Sequence, residues 1–479
     1  KLMPRKTFTI SKDVIVIGAG PAGCAAAIAS ARNGAQTLLL EKNGILGGMA
    51  TAGMVKPFMT SYVRNKKVID GIFGEIVQGM HSLHAALGPF ACPNFENPNK
   101  RDRVIRKNSQ QDTHGTGGHI TVFDPEILKY LLVVETEKAG VELLLHTLVT
   151  DAVLENKRIK NIVAETKSGR YIFTPKIVID ASGDGDVAAA AGFDYVLGRE
   201  EDGVCQPVSV MYTLGGIDTE RAREYILQNQ DQFEWLSMPT LNEPVLPTYE
   251  SKPLAGSGFF NIITEAKAKG ELELGRNQVT FFTDLRRGEW TINATRVNRI
   301  NGNFVEDLTH AEKSARKQVY SLTETLRKYV PGFEDCFILA SSSVIGVRES
   351  RKIIGEYVLT REDIVEGRKF TDSVCKGSFP IDIHDPFGDK GTWIELDDAY
   401  TIPYRSLIPK GADNLLVAGR CISATHDAQA STRVMPTSMA IGQAAGTAAA
   451  LSLNNYIEKL PNLDIKLLQN TLKQQNVIL

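Results

Sequence analysis

Three glycines near the N-terminus have the spacing of a nucleotide-binding turn. They are Gly18, Gly20 and Gly23, and the acid Glu41 follows at the end of the next apolar run. In such a turn the first glycine permits the tight bend, the second lets a pyrophosphate approach the backbone, and the third lets a helix pack on its strand. A carboxylate about 20 residues further on can accept both hydroxyl groups of a ribose. The predicted chemistry is the binding of a dinucleotide.

A strand, a helix and a second strand would position these residues. Val14-Ile15-Val16-Ile17 is β-branched throughout, residues 22–33 are rich in alanine and precede Gly34, and Thr37-Leu38-Leu39-Leu40 is a second apolar run. The stretch 14–31 is also almost long enough for a membrane anchor, which takes about 20 apolar residues. Its glycines and proline would break such a helix, so we exclude the anchor and predict a βαβ unit.

Composition and charge are those of an ordinary globular protein. The 479 residues are 43% hydrophobic and 23% charged with a net charge of -2, enough for two or three domains and no reason to expect nucleic acid as a partner. The six cysteines include no C-x-x-C pair, so we predict no metal site and no redox disulfide. Free thiols predict a cytoplasmic protein without a membrane span. A removed export signal and a homo-oligomer are both compatible with the sequence.

Later segments extend the predicted fold and favour FAD over NAD. A glycine-rich loop over 44–53 could follow a ribityl chain and a flavin edge, although a surface loop is an alternative reading. A helix over 436–453 could direct its N-terminus at the flavin and stabilise the negative charge of its reduced form. Further strands are predicted by apolar runs and alternating patterns at 141–145, 152–165, 171–173, 176–180 and 414–417.

With these motifs the chain resembles FAD-dependent oxidoreductases that have a glutathione-reductase-type FAD fold and a single dinucleotide-binding domain. The matching segments are 18–41, 44–53, 180–186, 346–351 and 419–446. The resemblance implies an α/β fold: a Rossmann-like FAD-binding domain with a parallel sheet and a β-meander, plus a mixed α+β substrate domain. It places the FAD domain at 1–57, 120–197 and 403–479, and the substrate domain at 58–119 and 198–402.

The predicted cofactor is non-covalent FAD, held mainly by glycine turns and strand ends. Arg420 stands where many flavoproteins carry aspartate, which leaves its role open between phosphate and substrate. The residues predicted to contact the cofactor are Gly18, Gly20, Pro21, Ala22, Gly23, Glu41, Lys42, Gly48, Met49, Ala50, Thr51, Val149, Ala181, Ser182, Gly183, Gly419, Arg420, Gly442 and Ala444.

Three residues are predicted to act on the substrate. His426 is a candidate general acid or base, and Arg433 could anchor a substrate carboxylate or meet the flavin. Arg348 belongs to the run Arg348-Glu349-Ser350-Arg351, which could form an anion clamp or an internal ion pair. The roles of Glu349, Arg351, His384 and Tyr404 stay open, and for the last two a structural role is favoured.

Two local expectations concern the region between 198 and 402. Thr309-His310-Ala311-Glu312 matches a capping box and predicts a helix from Thr309 to Val330. Pro380 and Pro386 flank His384 and predict a loop there.

The predicted function is hydride transfer between a small polar substrate and flavin N5, with a separate acceptor or donor recycling the flavin. No second G-x-G-x-x-G follows a strand, which argues against a dedicated NAD(P)H domain. The alternatives are a flavin monooxygenase that uses O2 and external NAD(P)H, and a flavin-binding protein without turnover.

Overall fold

The computed structural model describes residues 6–91, 119–239, 241, 244–388 and 391–479. Strands within these ranges are β1 Thr7–Ile17, β2 Thr37–Leu40, β3 Tyr62–Val63, β4 Lys66–Lys67, β5 Ala86–Ala91, β6 His119–Phe123, β7 Glu142–Leu144, β8 Leu148–Glu155, β9 Arg158–Thr166, β10 Gly169–Asp180, β11 Tyr195–Leu197, β12 Tyr212–Gly215, β13 Phe233–Ser237, β14 Ala255–Gly258, β15 Val279–Thr283, β16 Trp290–Asn293, β17 Phe337–Ser341, β18 Arg351–Ile353, β19 Ser373–Gly377, β20 Ile381–His384, β21 Gly391–Ile394, β22 Tyr400–Pro403 and β23 Leu415–Val417.

The helices alternate with these strands in the first and last parts of the chain. They are α1 Pro21–Arg32, α2 Ile72–Ser82, α3 Pro125–Ala139, α4 Asp186–Ala190, α5 Thr219–Gln228, α6 Phe260–Ala268, α7 Val305–Tyr329, α8 Arg361–Val365, α9 His426–Thr432, α10 Met435–Asn454 and α11 Ile465–Gln474. Short 3₁₀ turns lie at Gly48–Ala50, Gln230–Gln232, Tyr404–Leu407 and Leu460–Asn462.

The predicted βαβ unit is confirmed. β1 and β2 are parallel neighbours, with Val14 opposite Thr37 and Ile17 opposite Leu40, and α1 connects them. The four apolar residues that end β1 are buried, as expected for a strand covered on both faces. Gly18 follows at a φ of +90°, a conformation that favours glycine. The turn therefore needs its first glycine for backbone reasons.

The principal sheet joins five parallel strands to an antiparallel meander. Its order is β7-β2-β1-β10-β9-β8, and β23 pairs with β10. The pairs of β1 with β2 and β10, of β2 with β7, and of β10 with β23 are parallel, whereas β9 runs antiparallel to both β8 and β10. The predicted α/β class, parallel sheet and meander are confirmed.

One long strand replaces two predicted ones. We expected 171–173 and 176–180 to be separate, but β10 runs unbroken through Pro175. Its pairing with β9 ends at Phe173, whereas its pairing with β1 continues to Asp180. Pro175 lies beyond the last β9 partner, so that side of the strand needs no donor there and the proline is tolerated.

A second sheet forms the framework of the middle region. It is antiparallel, in the order β13-β14-β15-β16-β12-β17, and the buried face of α7 contributes to its core. α7 begins at Val305 rather than at the predicted Thr309. Thr309 lies in the second turn, where its hydroxyl donates to the carbonyl of Val305 at 2.7 Å. The capping-box prediction is wrong because Thr309 lies inside the helix and not at its start. The first turn instead contains the acids Glu306 and Asp307, which are favourable at a helix N-terminus.

The buried side chains form two large clusters whose limits differ from the predicted domain boundaries in two places. One cluster draws on residues 14–191 and 353–477, and the other on 208–347. The first includes the apolar residues of α2 and of strands β19 to β22, which we had assigned to the substrate domain. We propose that 353–402 folds with the cofactor unit and that 208–347 is the core of the substrate unit. Residues 1–5 and 92–118 of the predicted boundaries lie outside the described part.

Helices α1 and α10 touch through small residues. A Cβ at Gly442 would lie 2.0 Å from the carbonyl oxygen of Ala22, and one at Gly446 would lie 2.0 Å from that of Ala26. Such backbone contact requires glycine at both positions. No helix in the described ranges has both the length and the apolar character needed to cross a bilayer.

Candidate active site

The loops that follow the parallel strands meet at one edge of the principal sheet. A Cβ at Gly18 would be 2.8 Å from the Cα of Ser182, one at Gly48 would be 2.8 Å from the Cα of Gly20, and one at Gly419 would be 3.2 Å from the Cβ of Ala22. Ligands of open α/β sheets bind at this carboxyl edge. The structure therefore brings together segments 18–23, 41–49, 181–183 and 419–420.

The N-terminus of α1 has the features of a phosphate site. Its N-cap, Gly20, provides no side-chain cap, so the first-turn N–H groups can meet an anion. A Cβ at Gly20 would have no atom within 4 Å, which leaves room beside the backbone. At Gly23 a Cβ would lie 1.7 Å from the carbonyl oxygen of Gly18, so this glycine closes the turn. The predicted division of roles among the glycines fits this geometry, and the residues fit a dinucleotide.

Glu41 has less free hydrogen-bonding capacity than we predicted. Its Oε2 accepts from the backbone N–H of Ala19 at 2.8 Å, and its Oε1 accepts from the backbone and side-chain N–H groups of Asn43, each at 2.8 Å. A carboxylate offers about four acceptor sites, so about one remains, on Oε2. Glu41 can therefore hold one ribose hydroxyl while it also fixes the glycine turn, rather than both hydroxyls.

Four predicted cofactor residues point into the protein instead. Ala50 and Ala444 have no exposed surface and Thr51 is 2% exposed, while the Cβ position of Gly442 is filled by the backbone of α1. The Thr51 hydroxyl donates to the carbonyl of Leu46. These positions contribute to packing within the protein, and their contact with the cofactor stays a prediction.

The remaining predicted cofactor residues border the same edge. Pro21 and Met49 are half-buried, and Lys42 is exposed. Val149 is half-buried on β8. The residues before β8 are joined to Glu41, because the Thr147 N–H donates to the carbonyl of Glu41 at 2.9 Å. Their contact with the cofactor remains a prediction.

Arg420 forms an ion pair inside the site. Its Nη2 atom donates to Oδ1 of Asp184 at 3.1 Å, and its guanidinium occupies the space beside Gly183. Its buried Nη1 has no partner among the described residues. The ion pair explains why a cation is tolerated at this position, and the unpartnered nitrogen leaves a donor for a ligand oxygen.

His426 and Glu349 form a buried dyad. The His426 Nδ1 lies 2.8 Å and 2.9 Å from the two carboxylate oxygens of Glu349, which is itself fully buried. Lys352 Nζ donates to Oε1 of Glu349 at 2.7 Å. Burial acts to raise the pKa of Glu349, but the hydrogen bond from His426 and the charge of Lys352 lower it overall. The carboxylate is therefore ionised, and it orients the imidazole with Nδ1–H as donor.

The free end of the dyad is the His426 Nε2 atom. It is buried and has no partner in the described part of the chain. With Nδ1 protonated toward Glu349, Nε2 carries the lone pair that can accept a proton. His426 opens α9, where its backbone N–H donates to the carboxylate of Glu200 at 2.8 Å. The dyad thus presents one basic nitrogen from a fixed ring.

The run 348–351 does not act as one unit. Arg351 bonds Asp186 at 2.9 Å, whereas Arg348 donates to the carbonyl of Pro207 at 2.7 Å and to the hydroxyl of Ser209 at 2.6 Å. The two arginines therefore have separate partners, and Arg351 forms an internal ion pair, one of the two expected arrangements. Arg351 begins strand β18, whereas Arg348 precedes the strand, and the two side chains reach different segments of the chain.

Arg433 lies beside Arg348 rather than Arg351. Its Nη2 donates to the backbone and side-chain oxygens of Asp382 at 3.2 Å and 3.1 Å. His384 Nε2 lies 3.3 Å from the same carboxylate, in strand β20 and not in the predicted loop. Burial, together with Arg348, lowers the pKa of His384 to about 3, so this imidazole is neutral.

Buried polar atoms without partners are concentrated between β23 and α10. An unpaired buried polar group costs about 1–3 kcal/mol, so several in one short segment indicate that a polar ligand meets them. Those in the described part of this segment are Arg420 Nη1, His426 Nε2, Gln429 Oε1, Thr432 Oγ1, Arg433 Nε and Thr437 Oγ1. The N-terminus of α10, which begins at Met435, also lacks a side-chain cap. This segment fits the polar edge of a flavin and a substrate.

Other candidates have structural roles. The Tyr404 hydroxyl donates to the carbonyl of Leu460 at 3.1 Å and its ring is buried. The cysteines within the described ranges are free and buried, at positions Cys24, Cys205, Cys336, Cys375 and Cys421, and Cys92 lies outside those ranges. No group of three potential metal ligands occurs in the part of the chain that the structure describes.

Two partners of the site were not indicated by any motif of the sequence. Lys352 neutralises Glu349 and Asp382 binds Arg433. The three-residue spacing of Glu349 and Lys352 was the only signal available for the first. For Asp382 the sequence offers no signal, because its partner lies 51 residues away.

Fold and site together define a dinucleotide-binding α/β protein. The chain belongs to the FAD-dependent oxidoreductase family, whose model matches residues 13–472. The protein is therefore an enzyme that uses FAD.

Relatives of known name share part of the chain. The digeranylgeranylglycerophospholipid reductase 1 of Methanococcoides burtonii is 24% identical over 216 residues, 44% of this chain and 47% of that protein. The reductase of the same name from Methanocaldococcus jannaschii is 26% identical over 181 residues, 38% of this chain and 40% of that protein. The chain thus spans about half the length of the first curated relative. A geranylgeranyl bacteriochlorophyll reductase-like structure from Thermoplasma acidophilum is 13% identical, with coverage of 98% and 85% and a TM-score of 0.48.

Two glycine substitutions should separate cofactor binding from folding. In Gly20→Ala the new Cβ enters open space, so we expect the apoprotein to be as stable as the parent apoprotein. We expect loss of FAD, because the methyl group occupies the approach to the α1 N-terminus. In Gly442→Ala the Cβ meets the backbone of α1, so we expect about 1–3 kcal/mol of destabilisation. Thermal unfolding and bound FAD per chain measure both effects. A stable Gly442→Ala protein that loses FAD would restore the predicted cofactor role of Gly442.

Proposed function

We propose that this enzyme transfers a hydride between a small polar substrate and N5 of non-covalently bound FAD, and that a separate acceptor or donor recycles the flavin. The observation that carries the proposal is the Glu349–His426 dyad with its unpartnered Nε2. Oxidation of a C–OH or C–NH group removes a hydride from carbon and a proton from the heteroatom. FAD takes the hydride when bound, and the proton needs a base.

His426 has the arrangement that this proton transfer requires. Its ring is fixed through Nδ1, so Nε2 can take the proton in the oxidative direction and return it in the reductive direction. The Glu349 carboxylate stabilises the imidazolium that forms, because the pair then becomes an ion pair in a buried setting. Lys352 keeps the carboxylate ionised between turnovers.

The rest of the segment supports binding of a polar group. The α10 N-terminus and the Thr437 hydroxyl are uncapped and unpartnered among the described residues, and they suit the carbonyl edge of a flavin, where charge develops on reduction. Two curated relatives are named as reductases, which supports redox turnover over passive flavin binding.

Anaerobic incubation of the purified yellow protein with a library of metabolites tests the proposal. We expect one chemical class to bleach the visible flavin absorbance, with one equivalent of oxidised product per flavin. Reduced flavin that is reoxidised by a screened acceptor would establish the reverse direction. A flavin that stays oxidised with every compound, and that no donor reduces, would indicate a binding protein without turnover. Hydroxylated product formed with consumption of NAD(P)H and O2 would indicate a monooxygenase.

A further inference from the structure

We propose that the substrate is an organic acid and that Arg348 and Arg433 bind its carboxylate. This inference rests on the proposed function, because it specifies the substrate of the same site. It starts from a positive charge that the described side chains leave uncompensated.

Arg348 carries a charge without a carboxylate partner among the described residues. Its guanidinium donates to two neutral oxygens, the Pro207 carbonyl and the Ser209 hydroxyl. Burial and the neighbouring Arg433 lower the pKa of Arg348 well below the usual arginine range. Because a guanidinium nevertheless stays protonated in proteins, this position favours an anion strongly.

Arg433 already has one carboxylate partner. Asp382 accepts from Arg433 at 3.1 Å. Burial acts to raise the pKa of Asp382, but His384 and the two arginines lower it overall, so it supplies one negative charge. The Arg433 Nε atom is buried and has no partner in the described part of the chain. One further anion would balance the second guanidinium and use that donor.

Among the described residues, Asp382 is the only carboxylate in an ion pair with either guanidinium. Glu349 influences the pKa of Arg433, but it already pairs with Lys352 and His426. The neutral His384 adds no charge. A buried guanidinium without a carboxylate partner is a recognition element for an anion.

The arginines lie on the segments that carry the dyad. Arg348 precedes Glu349 in the chain, and Gln429 of α9 donates to the Arg348 carbonyl at 2.9 Å. Arg433 is the C-cap of the helix that His426 opens. A carboxylate held by the planar guanidinium groups would therefore be anchored to the same frame that presents His426 Nε2. Because the arginines and the dyad share these segments, a carboxylate bound by the arginines would orient the reacting carbon of the substrate toward His426.

Titration of the FAD-loaded enzyme with oxalate, malonate and succinate tests the inference. Their diamides serve as neutral matches, and inorganic phosphate serves as a second source of oxyanion. We expect at least one acid to perturb the visible flavin spectrum and raise the unfolding midpoint, whereas the diamides do neither. Arg348→Gln should weaken that binding by about 30-fold or more, and Arg348→Lys should retain part of it.

Arg221→Gln is the matched control, since Arg221 is on the exposed surface of α5 and pairs with Glu334. Bound FAD and the unfolding midpoint show whether each variant folds. If Arg348→Gln does not fold, Arg433→Lys tests the same carboxylate site. Equal binding of acids and diamides, binding of phosphate alone, or no response to any acid would overturn the inference. If a neutral compound reduced the flavin at the same rate in Arg348→Gln and in the parent enzyme, the proposed function would stand. Only the inference that the substrate is an acid would be overturned. Acid binding by a protein whose flavin is reduced by no compound of the metabolite library would keep the acid site and overturn the proposed function.

Discussion

Replacing His426 with asparagine should slow reduction of the flavin by substrate by about 10²- to 10⁴-fold, the usual contribution of a general acid or base. The asparagine Nδ2 can take the place of the histidine Nδ1 and still donate to Glu349, whereas no atom replaces Nε2. The protein should therefore stay folded and yellow. Anaerobic stopped-flow reduction, with the substrate that the metabolite screen identifies, measures the effect.

Two further variants separate the roles within the dyad. His426→Gln can place an amide near the Nε2 position but leaves Glu349 without its imidazole partner, so it should be slow and less stable. Glu349→Gln keeps a hydrogen bond to Nδ1 but cannot stabilise the imidazolium, so its pH–rate profile should shift relative to the parent enzyme. Reduction of His426→Asn at the parental rate would show that His426 is structural.

Replacing Glu41 with alanine should weaken FAD binding by about 10- to 150-fold. The estimate follows from one lost hydrogen bond to a charged acceptor, about 1.5–3 kcal/mol, since three of the acceptor sites of the carboxylate already serve Ala19 and Asn43. Fluorescence of FAD released on dilution measures the dissociation constant.

Asn43→Ala is the control for the structural share of that loss. It removes one side-chain donor to Glu41 and leaves the backbone donors in place. We expect it to bind FAD within a few-fold of the parent, because the freed acceptor site can take a second ribose hydroxyl. Equal losses in the two variants would mean that Glu41 only shapes the turn and does not touch the ribose.

Local patterns were sufficient for the cofactor unit. Residues 14–40 contain their own strand, helix and strand, and each is specified by short-range preferences for β-branched residues, alanine and glycine. The structure places α1 and β2 within one residue of the expected limits, and β1 ends at the expected Ile17 although it begins earlier, at Thr7. Start points that depend on competition between neighbouring caps were less predictable, as the early beginning of α7 at Val305 shows.

The partners of the candidate site residues were not predictable from the sequence. The sequence proposed His426, Arg348 and Arg433 as site residues, yet it grouped Arg348 with Arg351, which pairs with Asp186. The roles of the small residues of α10 were equally ambiguous. The sequence does not distinguish a glycine that packs against a cofactor from a glycine that packs against another helix. Only the 2.0 Å approach of Ala22 assigns Gly442 to packing.

By itself the sequence determined the dinucleotide-binding turn, the α/β class and the family of this enzyme, because those features are encoded in contiguous segments. The tertiary structure decided that Glu349 orients His426 across 77 residues and that Asp382 reaches Arg433 across 51. It also decided which small residues face the ligand edge. Such pairs depend on how separate strands and helices are brought together, and the burial that gives a charge its chemical effect exists only after the chain has packed.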